Sequence, residues 1–305
     1  MSKILQHAKW RGEVLAYDIV RALMMLFSFN AVSNFGGWLF KKVGPKTSKQ
    51  NIVMTGLRTA FPEKSEAELE ALALAQWDNT GRTFAEFPML GRVRVFDKNS
   101  RVKVIGLQKL EALRDEKKGA VLISGHFANW EIMAAVFSQA GLPVRVTYRP
   151  TNNPYFDRRI RSQRQKYGID LMVAKSGAKG AKELLAALKS GDSVALLNDQ
   201  KFNEGIAVPF FGVAAMTAPG PTRMALRTGA PLVPMFVRRV DKTKFEVEIY
   251  DPIAIDNTGD RAGDIERGVV AITRWVEDRI IEDPAGWFWV HRRWDKSHYK
   301  KERRG

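Results

Sequence analysis

From Val102 onward, short apolar runs alternate with stretches patterned as helices, and this alternation restricts the chain to one architecture. Candidate strands are Val102–Ile105, Ala120–Ser124, Val144–Tyr148, Asp170–Val173, Ser193–Asn198, Leu232–Val237 and Phe245–Tyr250. Helical patterns lie near 107–117, 129–140, 154–167, 179–190, 221–228 and 260–281. The expected fold is α/β, a mostly parallel central sheet flanked by helices on both faces. Lys244–Tyr250 alternates strictly and predicts an edge strand with one wet face. Residues 47–91 read as helical, with a capping box at Ser65–Glu68. No internal repeat or low-complexity linker divides the chain, so residues 46–305 are expected to form a single α/β domain.

Chemistry concentrates just after the strand Ala120–Ser124, in Gly125-His126-Phe127-Ala128-Asn129-Trp130-Glu131. Open α/β sheets bind ligands outside the carboxyl ends of their strands, which is where His126 falls. A carboxylate at Glu131 would fix the imidazole tautomer and leave its other nitrogen free to take a proton. The same spacing is also met by a helix cap followed by a solvated carboxylate. Two more strand ends are polar: Tyr148-Arg149-Pro150, followed by Asn152-Asn153-Pro154, and Asn198-Asp199-Gln200. The helix after Asn153 carries Arg158, Arg159, Arg161 and Arg164, an arrangement suited to clamping phosphate or carboxylate oxygens. The polar-free Val208-Pro209-Phe210-Phe211-Gly212 is expected in a loop, as core or as the wall of an apolar tunnel.

The chain lacks cysteine, which excludes disulfides, thiolate metal sites and a cysteine nucleophile. Four histidines without a paired spacing predict no metal site, and no P-loop, dinucleotide fingerprint or G-x-S-x-G elbow is present. The net charge is +16, with balances of +6 in residues 1–50 and +5 in residues 291–305. A surface of this kind attracts an anionic partner: nucleic acid, an acidic membrane, a phosphorylated glycolipid or an acidic protein.

Residues 22–40 carry no charge and are flanked by Lys9, Arg11, Arg21, Lys41 and Lys42. Two Asn, two Ser and a Gly-Gly pair make this stretch a weak spanning helix. Residues 1–45 are therefore expected to form a membrane-anchoring helix with basic flanks, lying in the interface; a buried helix of the soluble core is the alternative. The closing Trp287-Phe288-Trp289-Val290-His291-Arg292-Arg293-Trp294 fits a nucleic-acid stacking platform or a membrane interface, and the apolar amino-terminal stretch favours the membrane.

Taken in order, these blocks, together with Ala230-Pro231-Leu232-Val233-Pro234, resemble the late acyltransferases of lipid A biosynthesis (the lauroyl and myristoyl transferases), within the acyltransferase superfamily marked by H-x4-D/E. The glycerol-phosphate branch would show Glu-Gly-Thr-Arg where this chain has Asn198-Asp199-Gln200. The resemblance implies transfer of an acyl chain from acyl carrier protein to a hydroxyl of a hydroxyacyl chain on a Kdo-bearing, phosphorylated lipid A precursor. It also implies the cytoplasmic face of a bacterial inner membrane, no cofactor and no nucleic-acid partner. His126 and Glu131 are the expected catalytic pair, with Arg149, Asn153, Arg164, Asp199 and Gln200 at the substrate. A related acyltransferase acting on another membrane lipid, or a basic membrane-binding protein without turnover, are the competing readings.

Overall fold

The computed structural model describes residues 3–148, 150–166, 172–174 and 177–301. The amino-terminal half is helical: α1 (Lys3–Met24), α2 (Phe29–Val43), α3 (Gln50–Ala60) and α4 (Glu66–Glu86). The predicted capping box opens α4, with the Ser65 backbone N–H donating to Glu68 Oε2 at 2.9 Å. Then follow β1 (Val102–Ile105), α5 (Leu107–Asp115), β2 (Val121–Ser124), α6 (Ile132–Gln139), β3 (Val144–Tyr148), α7 (Pro154–Gln165), β4 (Met172–Ala174), α8 (Gly177–Lys189) and β5 (Ser193–Leu197). The chain continues with β6 (Ile206–Phe210), β7 (Val213–Thr217), α9 (Gly220–Thr228), β8 (Leu232–Asp241), β9 (Lys244–Ile249), α10 (Arg261–Glu282) and α11 (His298–Lys301).

Seven strands form one sheet in the order β1-β9-β8-β2-β5-β3-β4. All neighbours are parallel except β8 and β9. The mostly parallel sheet is thus as expected, and β2 shows why its strand is uniformly apolar. Val121 and Ile123 pack with Leu184 and Leu188 of α8 and Met224 of α9, whereas Leu122 faces the cluster holding Ile132 and Val136 of α6. Alternate side chains leave opposite faces, so a strand covered on both sides needs apolar residues throughout.

Three expectations are corrected. The strand of Lys244–Tyr250 is internal, between β1 and β8, and β1 takes the edge. Its alternating carboxylates misled because Glu246, buried in the sheet, is neutralised by Lys103 and Arg238. Residues 208–212 belong to a hairpin, not a loop: β6 pairs with β7 through a turn at Phe211 (φ 48°) and Gly212 (φ 73°). Two positive φ values match the twist of a two-residue hairpin, and the Phe211 N–H is held by the Glu277 carboxylate. The closing aromatic cluster is core: Trp287, Trp289, Arg293 and Trp294 are each at most 3% exposed. The Trp289 and Trp294 indoles are satisfied internally, Trp289 Nε1–H by the Pro284 carbonyl at 2.7 Å and Trp294 Nε1–H by the Phe210 carbonyl at 3.1 Å.

The uncharged stretch 22–40 is two helices. Ser28 adopts an extended backbone and accepts the Ala31 N–H at 3.1 Å, starting α2 afresh, while Arg92 donates to the carbonyls of Met25 and Phe27 at the end of α1. Among the described residues no helix is long and apolar enough to cross a membrane. One side of α2, with Phe29, Val32, Gly36 and Gly37, is buried, and its other side exposes Phe35 and Trp38. Gly36 and Gly81 let α2 and α4 touch backbone to backbone; a Cβ on either would strike the carbonyl oxygen of the other. Gly81→Val is therefore expected to destabilise the protein by about 1–3 kcal/mol through overpacking, measured by denaturant unfolding. An unchanged midpoint would show that the two helices do not meet there.

Candidate active site

The carboxyl ends of β2, β5 and β3 lie side by side, and the chain turns at each into polar residues. After β2, Gly125 is required because a Cβ there would stand 2.6 Å from the Phe127 ring. Phe127 is fully buried and bridges to Trp287, and Ala128 turns through φ 42° with its N–H on the Gly286 carbonyl at 2.7 Å. The Phe288 N–H donates to the His126 carbonyl at 3.0 Å. The histidine is thereby laced to the carboxyl-terminal segment before its side chain makes any contact.

Its side chain meets Asp199, at the end of β5, rather than Glu131. His126 Nδ1 lies 2.7 Å from Asp199 Oδ1. Asp199 Oδ2 accepts the His126 backbone N–H and the Trp287 indole N–H, each at 2.8 Å. Burial alone would raise this carboxyl's pKa, but the His126 charge and these hydrogen bonds hold it well below the usual carboxylate range. An ionised Asp199 accepts a hydrogen bond from Nδ1–H and fixes the tautomer in which Nε2 keeps its lone pair. Gln200 Nε2 approaches that atom at 3.3 Å. Trp130 stands edge-on to the imidazole with ring centroids 4.8 Å apart.

Glu131 pairs instead with Arg164 of α7: the guanidinium engages both carboxylate oxygens, Nε reaching Oε2 at 3.2 Å. The expectation that Glu131 braces His126 is corrected accordingly. The bridging side chain comes from a different strand, 73 positions away, because β5 pairs directly with β2. Asn153 is also reassigned. Its Oδ1 caps α7 through the Tyr155 and Phe156 N–H groups, and its Nδ2 donates to Trp10 and Glu13 of α1, away from the His126 cavity. Arg149 lies outside the described residues.

His126, Glu131, Arg164 and Gln200 open onto a cavity of about 660 Å³ that runs between the sheet and α6. Its deeper walls are apolar, including Leu122, Met133, Phe137, Val146 and Ala195. Of the two readings of residues 208–212, core or tunnel wall, Phe210 takes the first: it is fully buried, and neither Phe210 nor Phe211 lines this cavity. The arrangement offers one oriented base at the mouth of an apolar slot, with a paired cation beside it.

A second buried carboxylate holds the loop from behind, and nothing in the sequence pointed to it. Glu86, fully buried at the end of α4, accepts from Arg239 of β8 at 2.6 and 3.1 Å. It also accepts from Ser33 of α2 at 2.6 Å and from Asn129 Nδ2 at 2.8 Å. Thr83 Oγ1 donates to the Ala128 carbonyl at 2.8 Å. Glu86→Ala strands the Arg239 charge in the interior and should lower unfolding free energy by about 3–5 kcal/mol. Glu86→Gln should lose less, and wild-type stability of the alanine variant in a urea titration would contradict this network.

Residues 6–296 match the family model of bacterial lipid A biosynthesis acyltransferases. A lipid A biosynthesis acyltransferase of Haemophilus influenzae is 26% identical over 278 residues, covering 88% of this chain and 83% of that one. A lipid A biosynthesis lauroyltransferase of Escherichia coli is 28% identical, covering 80% and 78%. A phosphatidylinositol mannoside acyltransferase of Mycolicibacterium smegmatis is 23% identical over 96% and 94%. An oriented histidine at an apolar slot accords with acyl transfer, and the chain belongs to the bacterial lipid A biosynthesis acyltransferase family.

Proposed function

We propose that the protein transfers a fatty acyl chain from acyl carrier protein to a hydroxyl of a hydroxyacyl chain on a phosphorylated, Kdo-bearing lipid A precursor. The carrying observation is His126, braced by buried Asp199, at the mouth of the apolar cavity. The cavity volume is in the range of small-ligand sites, and its apolar walls suit a hydrocarbon chain. His126 Nε2 takes the acceptor hydroxyl proton, and the oxygen forms a bond to the thioester carbonyl carbon. The tetrahedral intermediate then expels the thiolate as the C–S bond breaks, and the imidazolium returns the proton to sulfur. Asp199 stays ionised and stabilises the cation in between. Glu131 holds the Arg164 guanidinium at the mouth, where it offsets charge on the oxyanion. Gln200 occupies Nε2 until the acceptor hydroxyl replaces it.

The protein's +16 charge favours an acidic carrier and anionic headgroups. The exposed Ile4, Leu15, Ile19 and Leu23 of α1, with Leu26, Phe27, Phe35 and Trp38, would rest on the cytoplasmic face of the bacterial inner membrane. This surface is our revised reading of the anchor expected in residues 1–45. The near full-length match to the mannoside acyltransferase supports a second acceptor, another phosphorylated glycolipid.

Mass spectrometry of products from purified protein, offered acyl carrier thioester with either acceptor, decides between them. A lipid A precursor heavier by one acyl chain is expected; acylation of the mannoside alone would overturn the first reading. His126→Ala and Asp199→Asn should each lower kcat by about 10²–10⁴-fold without unfolding the protein. Wild-type turnover in either variant would contradict the general-base assignment.

A further inference from the structure

Helix α7 presents two sets of arginines. Arg164 lines the His126 cavity, whereas Arg158, Arg159 and Arg161 line a second cleft of about 510 Å³, to which α1 contributes Val14. The interface between the two helices is built: Tyr17 Oη donates to Gln163 Oε1 at 2.8 Å, and Asn153 Nδ2 reaches Trp10 and Glu13. Within the cleft, Arg159 is neutralised by Asp18. Arg11 and Arg158 both stack on the Tyr155 ring, each 5.3 Å from its centroid, and the Tyr155 hydroxyl shares a hydrogen bond of 3.1 Å with His7 Nδ1. Arg161 stands 5.9 Å over the Tyr148 ring, which itself lines the His126 cavity. Among the described residues Arg11, Arg158 and Arg161 have no carboxylate partner. Arg158 and Arg161 thus line the cleft without a neutralising carboxylate, and a dianion seated there accepts from their N–H groups and offsets their mutual repulsion.

Resting on the reaction proposed above, we infer that this cleft binds a phosphate monoester of the glycolipid acceptor while the acceptor's hydroxyl sits at His126. A phosphate monoester carries close to two negative charges at neutral pH. The cleft is a recess of headgroup size, whereas an acidic protein helix needs a broad footprint of roughly 800 Å² per partner. Both sites border α7, on which Arg158 and Arg164 are six residues apart, a rise of about 9 Å at 1.5 Å per residue, a span suited to a phosphorylated disaccharide with acyl arms.

The test is a kinetic cycle on the full chain, comparing wild type with Arg158→Gln/Arg161→Gln on a phosphorylated lipid A precursor and on its dephosphorylated counterpart. KM for the phosphorylated acceptor should rise about tenfold or more in the variant, the loss of charge-assisted hydrogen bonds, with the carrier KM unmoved. On the dephosphorylated lipid the two proteins should have the same KM. An equal rise on both lipids, or a rise in the carrier KM alone, overturns the inference; the latter assigns the cleft to the carrier. If wild type acylates neither lipid, the proposed reaction has failed and cosedimentation decides the cleft separately. Phosphatidylcholine vesicles with and without phosphatidic acid are the probe: an increment from phosphatidic acid lost in the variant supports the cleft, and an increment retained overturns it.

Discussion

The structure turns on keeping one carboxylate, Asp199, ionised where water does not reach it. A charge buried this fully persists only with its hydrogen-bonding capacity filled. Three groups fill it, the His126 backbone N–H, the His126 imidazole and the Trp287 indole, and they come from two separated parts of the chain. Strand β5 supplies the carboxylate, β2 leads into the histidine, and the carboxyl-terminal segment supplies the indole. All three segments must be in register for the full set of bonds to form. The carboxylate therefore specifies the fold locally while preparing the imidazole.

The surroundings serve the same end. A turn with positive φ at Ala128 is tolerated because the Gly286 carbonyl and Thr83 hydroxyl hold its two backbone polar groups. Behind it, Glu86 gathers α2, α4, β8 and Asn129 around one buried charge. Helix α2 thus contributes to the scaffold through Ser33 and to the surface through Phe35 and Trp38. The base proposed at His126 gains from such over-determined support, because small displacements of a reacting group lose rate steeply.

The strands were legible because a sheet covered on both faces demands apolar runs, and His126 was legible because strand ends collect chemistry. Its partner was not. H-x4-E invites pairing by nearness in sequence, but α6 starts only at Ile132, and the turn before it sends Glu131 toward Arg164. Asp199 was recognised as belonging to the site without its role, since strand order decides which ends adjoin. The aromatic ending read as surface because Trp and Arg populate interfaces, yet internal carbonyls satisfy these indoles and Arg293 donates to Met216 and Thr217. Ser28 was the overlooked signal in residues 22–40: a cap residue inside an uncharged run marks a new helix. Pro209 similarly hid β6, although a two-stranded hairpin has free edges that tolerate a missing N–H.

Nitrogen-15 NMR of the His126 ring, in wild type and in Asp199→Asn and Glu131→Gln variants, reads the tautomer directly. The dyad described here predicts a protonated Nδ1 with a bare Nε2, preserved without Glu131 and lost without the Asp199 carboxylate. A tautomer that survives Asp199→Asn and disappears with Glu131→Gln would contradict it.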